Sequence, residues 1–159
     1  MTIDPAIIER LRQSGIRVDR EGEFQHEGAP VLHEGLRRAL FRWLDRLPDG
    51  RYILRLDADR FAYVDVDDTP LVARAARIDG ETILLALSDG SEEPLDPATL
   101  TIDAAGILRC RARGGALEAR LATSAVAALG DRIAEGASGP TLTIGRTKYP
   151  IAPRADAGR

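Results

Sequence analysis

Cys110 is the only cysteine in the 159 residues, so the chain can form no intrachain disulfide and no cysteine-based zinc cage. The two histidines, His26 and His33, are too few for a multi-histidine metal site. They lie seven positions apart, which is not the i, i+4 spacing of a helical metal pair. Lys148 is the sole lysine, and every other basic side chain is arginine. The longest clean aliphatic stretch, Ile83-Leu84-Leu85-Ala86-Leu87, is far shorter than the roughly 20 residues a membrane-crossing helix needs. Met1-Thr2-Ile3-Asp4-Pro5 has neither the basic nor the apolar region of a secretory leader. A reducing cytoplasm is therefore the expected compartment. There is no phosphate-binding glycine loop, no dinucleotide fingerprint and no nucleic-acid-binding signature. Ser124 and Ser138 lie outside any Gly-x-Ser-x-Gly context.

What is present describes an ordinary globular protein: 44% hydrophobic and 30% charged residues, with a net charge of −3. That charge excludes a strongly cationic nucleic-acid binder.

Asp4 and Pro5 suit the cap and first position of a short N-terminal helix, with Ile7, Ile8 and Leu11 on one face and Gly15 as its stop. Short strands follow, around Ile16-Arg17-Val18 and Phe24 to His26, with turns at Asp19 to Gly22 and at Glu27-Gly28. Leu36, Ala39, Leu40, Trp43, Leu44 and Leu47 recur with helical period, which predicts a helix that Pro48-Asp49-Gly50 ends; Phe41 sits off this stripe. Alternation then predicts strands at Tyr52 to Leu56 and Phe61 to Val66, and a hairpin about Asp79-Gly80. Ser88 to Pro97 reads as a loop and as the boundary between halves.

Beyond it the pattern returns. Leu100-Thr101-Ile102-Asp103 with Gly106 echoes Ile16-Arg17-Val18-Asp19 with Gly22. Strands at Leu108 to Ala112 and Ala116 to Leu121 precede a helix from Thr123 or Ser124 through Glu135, and a last hairpin runs from Thr141 to Ile151. The expected fold is α+β: two related βββαββ units, their antiparallel sheets each covered by a helix. The first unit would span 1–95 with an extra hairpin, the second 96–152, and 153–159 would form a flexible tail.

In order along the chain stand Gly22-Glu23-Phe24-Gln25-His26-Glu27-Gly28-Ala29-Pro30-Val31, Leu40-Phe41, Asp49-Gly50-Arg51-Tyr52 and Val64-Asp65-Val66-Asp67-Asp68-Thr69-Pro70-Leu71-Val72-Ala73. This series resembles the bacterial family called domain of unknown function 1285, over about residues 15 to 135. The resemblance implies a small α+β protein with repeated structural motifs and a role in signalling or ligand binding, with no established enzyme activity. The chain departs from the family pattern at Glu23-Phe24-Gln25, where a tryptophan is usual. It departs again at Leu56-Asp57-Ala58-Asp59-Arg60, where a Thr-Pro-Val-Glu-Lys-like run is usual.

His26 is the best single candidate for proton transfer or ligand contact. Asp57, Asp59, Asp65, Asp67 and Asp68 form the densest acidic stretch, but without EF-hand spacing; Asp67-Asp68-Thr69-Pro70 reads as a bend fixed by its proline. Tyr63, with Phe61, faces away from Ala62, Val64 and Val66 on its strand and so stands beside Asp65. Cys110 reads as a buried inert thiol. The candidate ligand site is thus His26, Tyr63, Asp67, Asp68 and Thr69, brought together by the fold. It would serve a non-catalytic cytoplasmic module for a small molecule or a partner protein, with no metal, no cofactor, no nucleic acid and no membrane. The alternative is a small enzyme with His26 as general base and a carboxylate orienting its ring.

Overall fold

In a computed structural model of the chain, the structure describes residues 4–6, 9 and 12–155. The expected apolar stripe Ile7, Ile8 and Leu11 lies outside the described residues, as does the tail from 156. Asp4 caps the N-terminal helix as expected: the Ala6 N–H donates to its Oδ1 at 2.9 Å, and Pro5, Ala6 and Glu9 are helical.

The fold is α+β and falls into two compact units, Met1–Pro70 and Leu71–Arg159. In the first, three strands, β1 (Gln13–Val18), β2 (Phe24–His26) and β3 (Ala29–Pro30), lead into helix α1 (Glu34–Trp43). Three more follow: β4 (Leu44–Arg46), β5 (Tyr52–Arg55) and β6 (Phe61–Val66). They form one six-stranded sheet in the order β3-β2-β1-β6-β5-β4. The last strand returns beside the first, so β1 and β6 pair in parallel, Val18 opposite Val66, while the remaining pairs are antiparallel. Val18, Phe24, Leu40, Phe41, Leu44, Ile53, Leu54 and Val64 are the buried apolar side chains of this unit.

The second unit repeats that order. Its strands β10 (Thr101–Ile102), β11 (Leu108–Ala112) and β12 (Leu117–Leu121) precede helix α2 (Thr123–Leu129). After it come β13 (Ile133–Gly136), β14 (Gly139–Ile144), β15 (Thr147–Pro150) and β16 (Ala152–Pro153). Here too the final strand pairs in parallel with the first, Ile102 opposite Pro153. The backbone bonds just past these strands match: Asp67 N–H donates to the Val18 carbonyl at 3.0 Å, and Arg154 N–H to the Ile102 carbonyl at 2.8 Å. The first unit is therefore βββαβββ and the matching stretch of the second βββαββββ, each with more strands than the sequence pattern suggested, and the parallel closing pair makes the main sheet of each unit mixed rather than wholly antiparallel.

The extra hairpin sits differently from expectation. β7 (Leu71–Asp79) and β8 (Thr82–Leu87) meet about Gly80 as predicted, with β9 (Glu92–Pro94) beyond them. But β7 pairs in parallel with β12, Ala119 opposite Leu71, so all three strands belong to the second unit's seven-stranded sheet, ordered β16-β10-β11-β12-β7-β8-β9. Leu71, Val72 and Ala73 are all buried, as in a strand flanked on both edges and covered on both faces. The expected boundary at 88–97 thus lies inside a sheet, and the chain divides after Pro70. Nor is Pro153 loose, since it and Arg154 are tied to β10.

Both helices are shorter than their periodicity implies: α1 runs straight into β4, and α2 gives way through one tight turn, Gly130–Arg132, to β13. Leu44 leaves the helical region (φ −57°, ψ 129°) and pairs with Leu54, while Asp45 meets Arg55 across the ladder at 2.8 Å. The spacing of Leu44 and Leu47 is helical, but the open edge of β5 draws Leu44–Arg46 into the ladder instead. In the second unit Gly130 (φ 49°) ends α2, and Ile133–Gly136 is extended. Helix α1 is also rolled about its axis. Leu40 and Phe41 are its buried residues, with Phe41 edge-on to Phe24 at 4.6 Å, whereas Leu36 is exposed and Trp43 half-buried. The aromatic partner on β2 draws Phe41 inward at the expense of Leu36.

Candidate functional site

Alternation along β1, β2 and β6 sorts the candidate residues onto two faces of the first unit's sheet. His26 pairs with Ile16 and shares the face of Phe24 and Val18. It is exposed at the end of β2, its ring lying over Gly15, where a Cβ would come within 3.6 Å of Cδ2. Gly15 has φ +71°, so the backbone conformation and this close approach both favour a residue without a side chain. Tyr63, Asp65 and Asp67 share the opposite face, that of Arg17 and Gln25; Asp67 meets Arg17 at 3.4 Å. The fold thus brings Tyr63 and Asp67 to one face of β6 and leaves His26 on the other. Thr69 is only 1% exposed, so its hydroxyl belongs to the interior, and Asp68 is half-buried. The expected meeting of His26 with the 67–70 bend does not appear, because a one-residue step along a strand changes the face. Among the described residues, no carboxylate is hydrogen-bonded or ion-paired to His26.

Tyr63 is the candidate with developed surroundings. Its hydroxyl donates to Glu9, whose oxygens lie at 2.8 and 3.0 Å, and accepts from Arg51 Nη1 at 3.0 Å. The Arg51 guanidinium lies 4.7 Å from the centre of the Tyr63 ring and is itself held by Asp49 at 2.8 Å. That pairing holds Asp49 below the usual carboxylate range and Arg51 above the usual guanidinium range. Phe61 lies edge-on to Tyr63 at 5.7 Å, and Arg12 covers its other side at 3.9 Å. Beside this cluster is a hollow of about 350 Å³, lined by Glu9, Gln13, Arg51, Tyr52, Tyr63 and Asp65 among others. Asp65 and Gln13 are exposed and turn unpaired polar groups to it, so the hollow offers an acid and an amide against an aromatic wall. Arg51 and Gln13 went unnoticed in the sequence, since only the pairings Ile53–Tyr63 and Gln13–Tyr63 place them at this strand.

Two further hollows belong to the second unit. One, of about 620 Å³, lies at the Asp103 turn beside Arg154; the other, of about 390 Å³, lies between Glu93 and the Gly114-Gly115 turn. Cys110 is buried, and desolvation, with Glu93, Glu118 and Asp96 nearby, pushes its thiol up to about 12, so it carries no thiolate near neutrality. Among the described residues there is no group of three or more His, Cys, Asp or Glu placed to hold a metal ion, and no helix is long and apolar enough to cross a membrane.

These observations define an α+β protein of two units, each with three strands, a helix and a closing strand that returns in parallel beside the first of the three, and with a polar-rimmed hollow in the first unit. Two solved structures share the fold. A DUF1285 family protein from Silicibacter pomeroyi DSS-3 matches with a TM-score of 0.73 at 19% identity, over 89% of this chain and 81% of its own. A DUF1285 family protein from Shewanella baltica OS155 matches with a TM-score of 0.59 at 16% identity, over 71% of this chain and 87% of its own. No protein-family profile and no curated protein sequence matches the chain. The fold is thus that of DUF1285 family proteins, the family the sequence resembles.

Proposed function

We propose that the chain is a non-catalytic binding module of the cytoplasm, acting in signal transduction, with its small-molecule site in the hollow beside Tyr63. The observation that carries this reading is the polar cluster itself. Four side chains from three segments, Glu9, Asp49 with Arg51, and Tyr63, hydrogen-bond one another beside a hollow of about 350 Å³. That volume lies within the roughly 300–1,000 Å³ of small-molecule sites. Preorganised walls lower the entropy lost on binding. Asp65 gives the lining an exposed carboxylate, which favours a ligand presenting hydrogen-bond donors. Binding rather than catalysis is supported by the absence, among the described residues, of a carboxylate orienting His26.

The test is a thermal-shift screen of metabolites, nucleotides and divalent cations, repeated on Asp65→Asn and Gln13→Ala. A ligand at 100 times its Kd stabilises the native state by about 2.7 kcal/mol. A compound should raise the midpoint of the parent protein and lose much of that effect in both variants. Equal shifts in parent and variants, or no compound that shifts the parent, would remove the assignment.

A further inference from the structure

We infer that the second unit carries a binding site for a free α-amino acid, in the hollow of about 390 Å³ between β9 and the turn that joins β11 to β12. Its lining holds three charged side chains, Glu93, Asp96 and Arg111, and none of them has an ion-pair partner among the described residues. Their neighbours are engaged elsewhere. Glu118 faces Arg111 across the ladder, but its carboxylate is taken by Arg154 at 2.8 Å. Arg113 gives its guanidinium to Asp89 at 2.9 Å, and its backbone N–H donates to Glu93 at 3.1 Å. Asp96 accepts only the Ala98 N–H, at 3.1 Å, as the cap of the turn Pro97–Thr99. Opposite charges thus line one hollow and stand too far apart to pair.

The walls are tied to one another. Thr99 Oγ1 accepts from Arg111 N–H at 3.0 Å and donates to the Asp96 carbonyl at 2.8 Å, while Glu93 holds the Arg113 backbone at φ 52° where the turn begins. Pro94 and Ala112 supply the apolar part of the lining, and Gly114 and Gly115 edge it without side chains. The separation of charge selects the ligand. A guanidinium grips a carboxylate through two parallel N–H donors, and carboxylates accept from an ammonium. An α-amino acid carries both groups on one carbon, so its carboxylate answers Arg111 and its ammonium answers Glu93 and Asp96. A polyamine or a basic peptide would satisfy the two acids and meet Arg111 as like charge. Inorganic phosphate would satisfy Arg111 and meet both acids as like charge. The volume falls near the lower end of the roughly 300–1,000 Å³ of small-molecule sites, which suits a ligand of few heavy atoms.

Isothermal titration of the full chain with each proteinogenic L-amino acid at millimolar concentration tests this. At least one should bind, and its decarboxylated amine and its deaminated acid should each bind about tenfold more weakly or worse, for loss of a charge-assisted contact. Arg111→Gln and Glu93→Gln should each weaken binding by about tenfold or more with an unchanged circular dichroism spectrum. Arg132→Gln, at an exposed position outside the lining, should leave binding as it is in the parent. Absence of binding by every amino acid would overturn the proposal, as would a binder indifferent to both Arg111→Gln and Glu93→Gln. So would an amine that binds as tightly as the amino acid, which would make the hollow a cation site, or inorganic phosphate that binds more tightly, which would make it an anion site. Glu93→Gln keeps an oxygen to accept from Arg113 N–H, and the halved ligands probe the parent chain itself, so the test stays open if Arg111→Gln fails to fold.

Discussion

The Asp19 turn of the first unit and the Asp103 turn of the second are the same device with one substitution. In each, the aspartate N–H donates to the carbonyl four residues on, and a glycine at φ +83° returns its own N–H to the aspartate carbonyl at 3.0 Å. In each, Oδ1 accepts two backbone N–H groups, from Glu21 and Glu23 in the first unit and from Ala105 and Ile107 in the second. The difference lies at Oδ2, which accepts from the neutral Gln25 amide at 2.9 Å in one unit and from the Arg109 guanidinium at 2.7 Å in the other. Arg109 is only 4% exposed, and its hydrogen bond, ahead of the backbone bond from Ile107, holds the Asp103 carboxyl down at about 2. Backbone geometry has thus been kept across the two copies while the electrostatics diverged. The duplicated frame is what the turn needs; the charge is what each unit's surroundings add.

The largest separable effects should come from the helix anchors. Phe41→Ala is expected to lower unfolding stability by about 4 kcal/mol and Leu129→Ala by about 3 kcal/mol, measured by urea denaturation. If Phe41→Ala costs under about 1 kcal/mol, the roll assigned to α1 is wrong. Next come the two partners of the aspartate turns. Arg109→Ala, which removes a buried guanidinium from its carboxylate, should cost more than Gln25→Ala, about 1 kcal/mol for the loss of a single neutral hydrogen bond. Equal costs would erase the contrast drawn above.

Smaller still are the helix starts. His33 Nδ1 accepts from Leu36 N–H at 3.1 Å and caps α1, while Ala122 leaves α2 without a side-chain cap. His33→Ala should therefore lose about 1 kcal/mol and Ala122→Asp gain roughly 0.5–1 kcal/mol, both read from denaturation midpoints. Last is a pH effect. The folded pKa of Asp103 lies below its unfolded value near 3.8, so its contribution is present in full above pH 3.8 and is lost as pH falls toward 2. Asp103→Asn should flatten the acid limb of stability against pH over that window, and an acid limb unchanged by the substitution would contradict it.

Much of the duplication was legible in the chain itself. Asp-x-x-Gly after a three-residue apolar alternation specifies the turn because an aspartate must accept two N–H groups and a glycine must take positive φ. The hairpin about Gly80 declared itself in the same local way. What could not be read was which edge that hairpin joins, since Leu71-Val72-Ala73 suits any central strand and only the free edge of β12 fixes its place. The candidate site divided along the same line. Tyr63 was visible as an aromatic off the core side of its strand, whereas Arg51 and Glu9 reach it from 12 and 54 positions away in sequence. His26 looked adjacent to the acidic bend only until the alternation of β1 and β2 put it on the other face.

The residues alone determined the elements whose causes are short in range: the aspartate turns, the alternating strands, the hairpin about Gly80, the absence of disulfide chemistry. Tertiary structure decided where α1 and α2 give way to strand, which side of α1 is covered, which unit owns the central hairpin and which charges meet. Those outcomes depend on ladder edges and aromatic partners supplied by segments far off along the chain. A periodicity of a few residues carries no record of them.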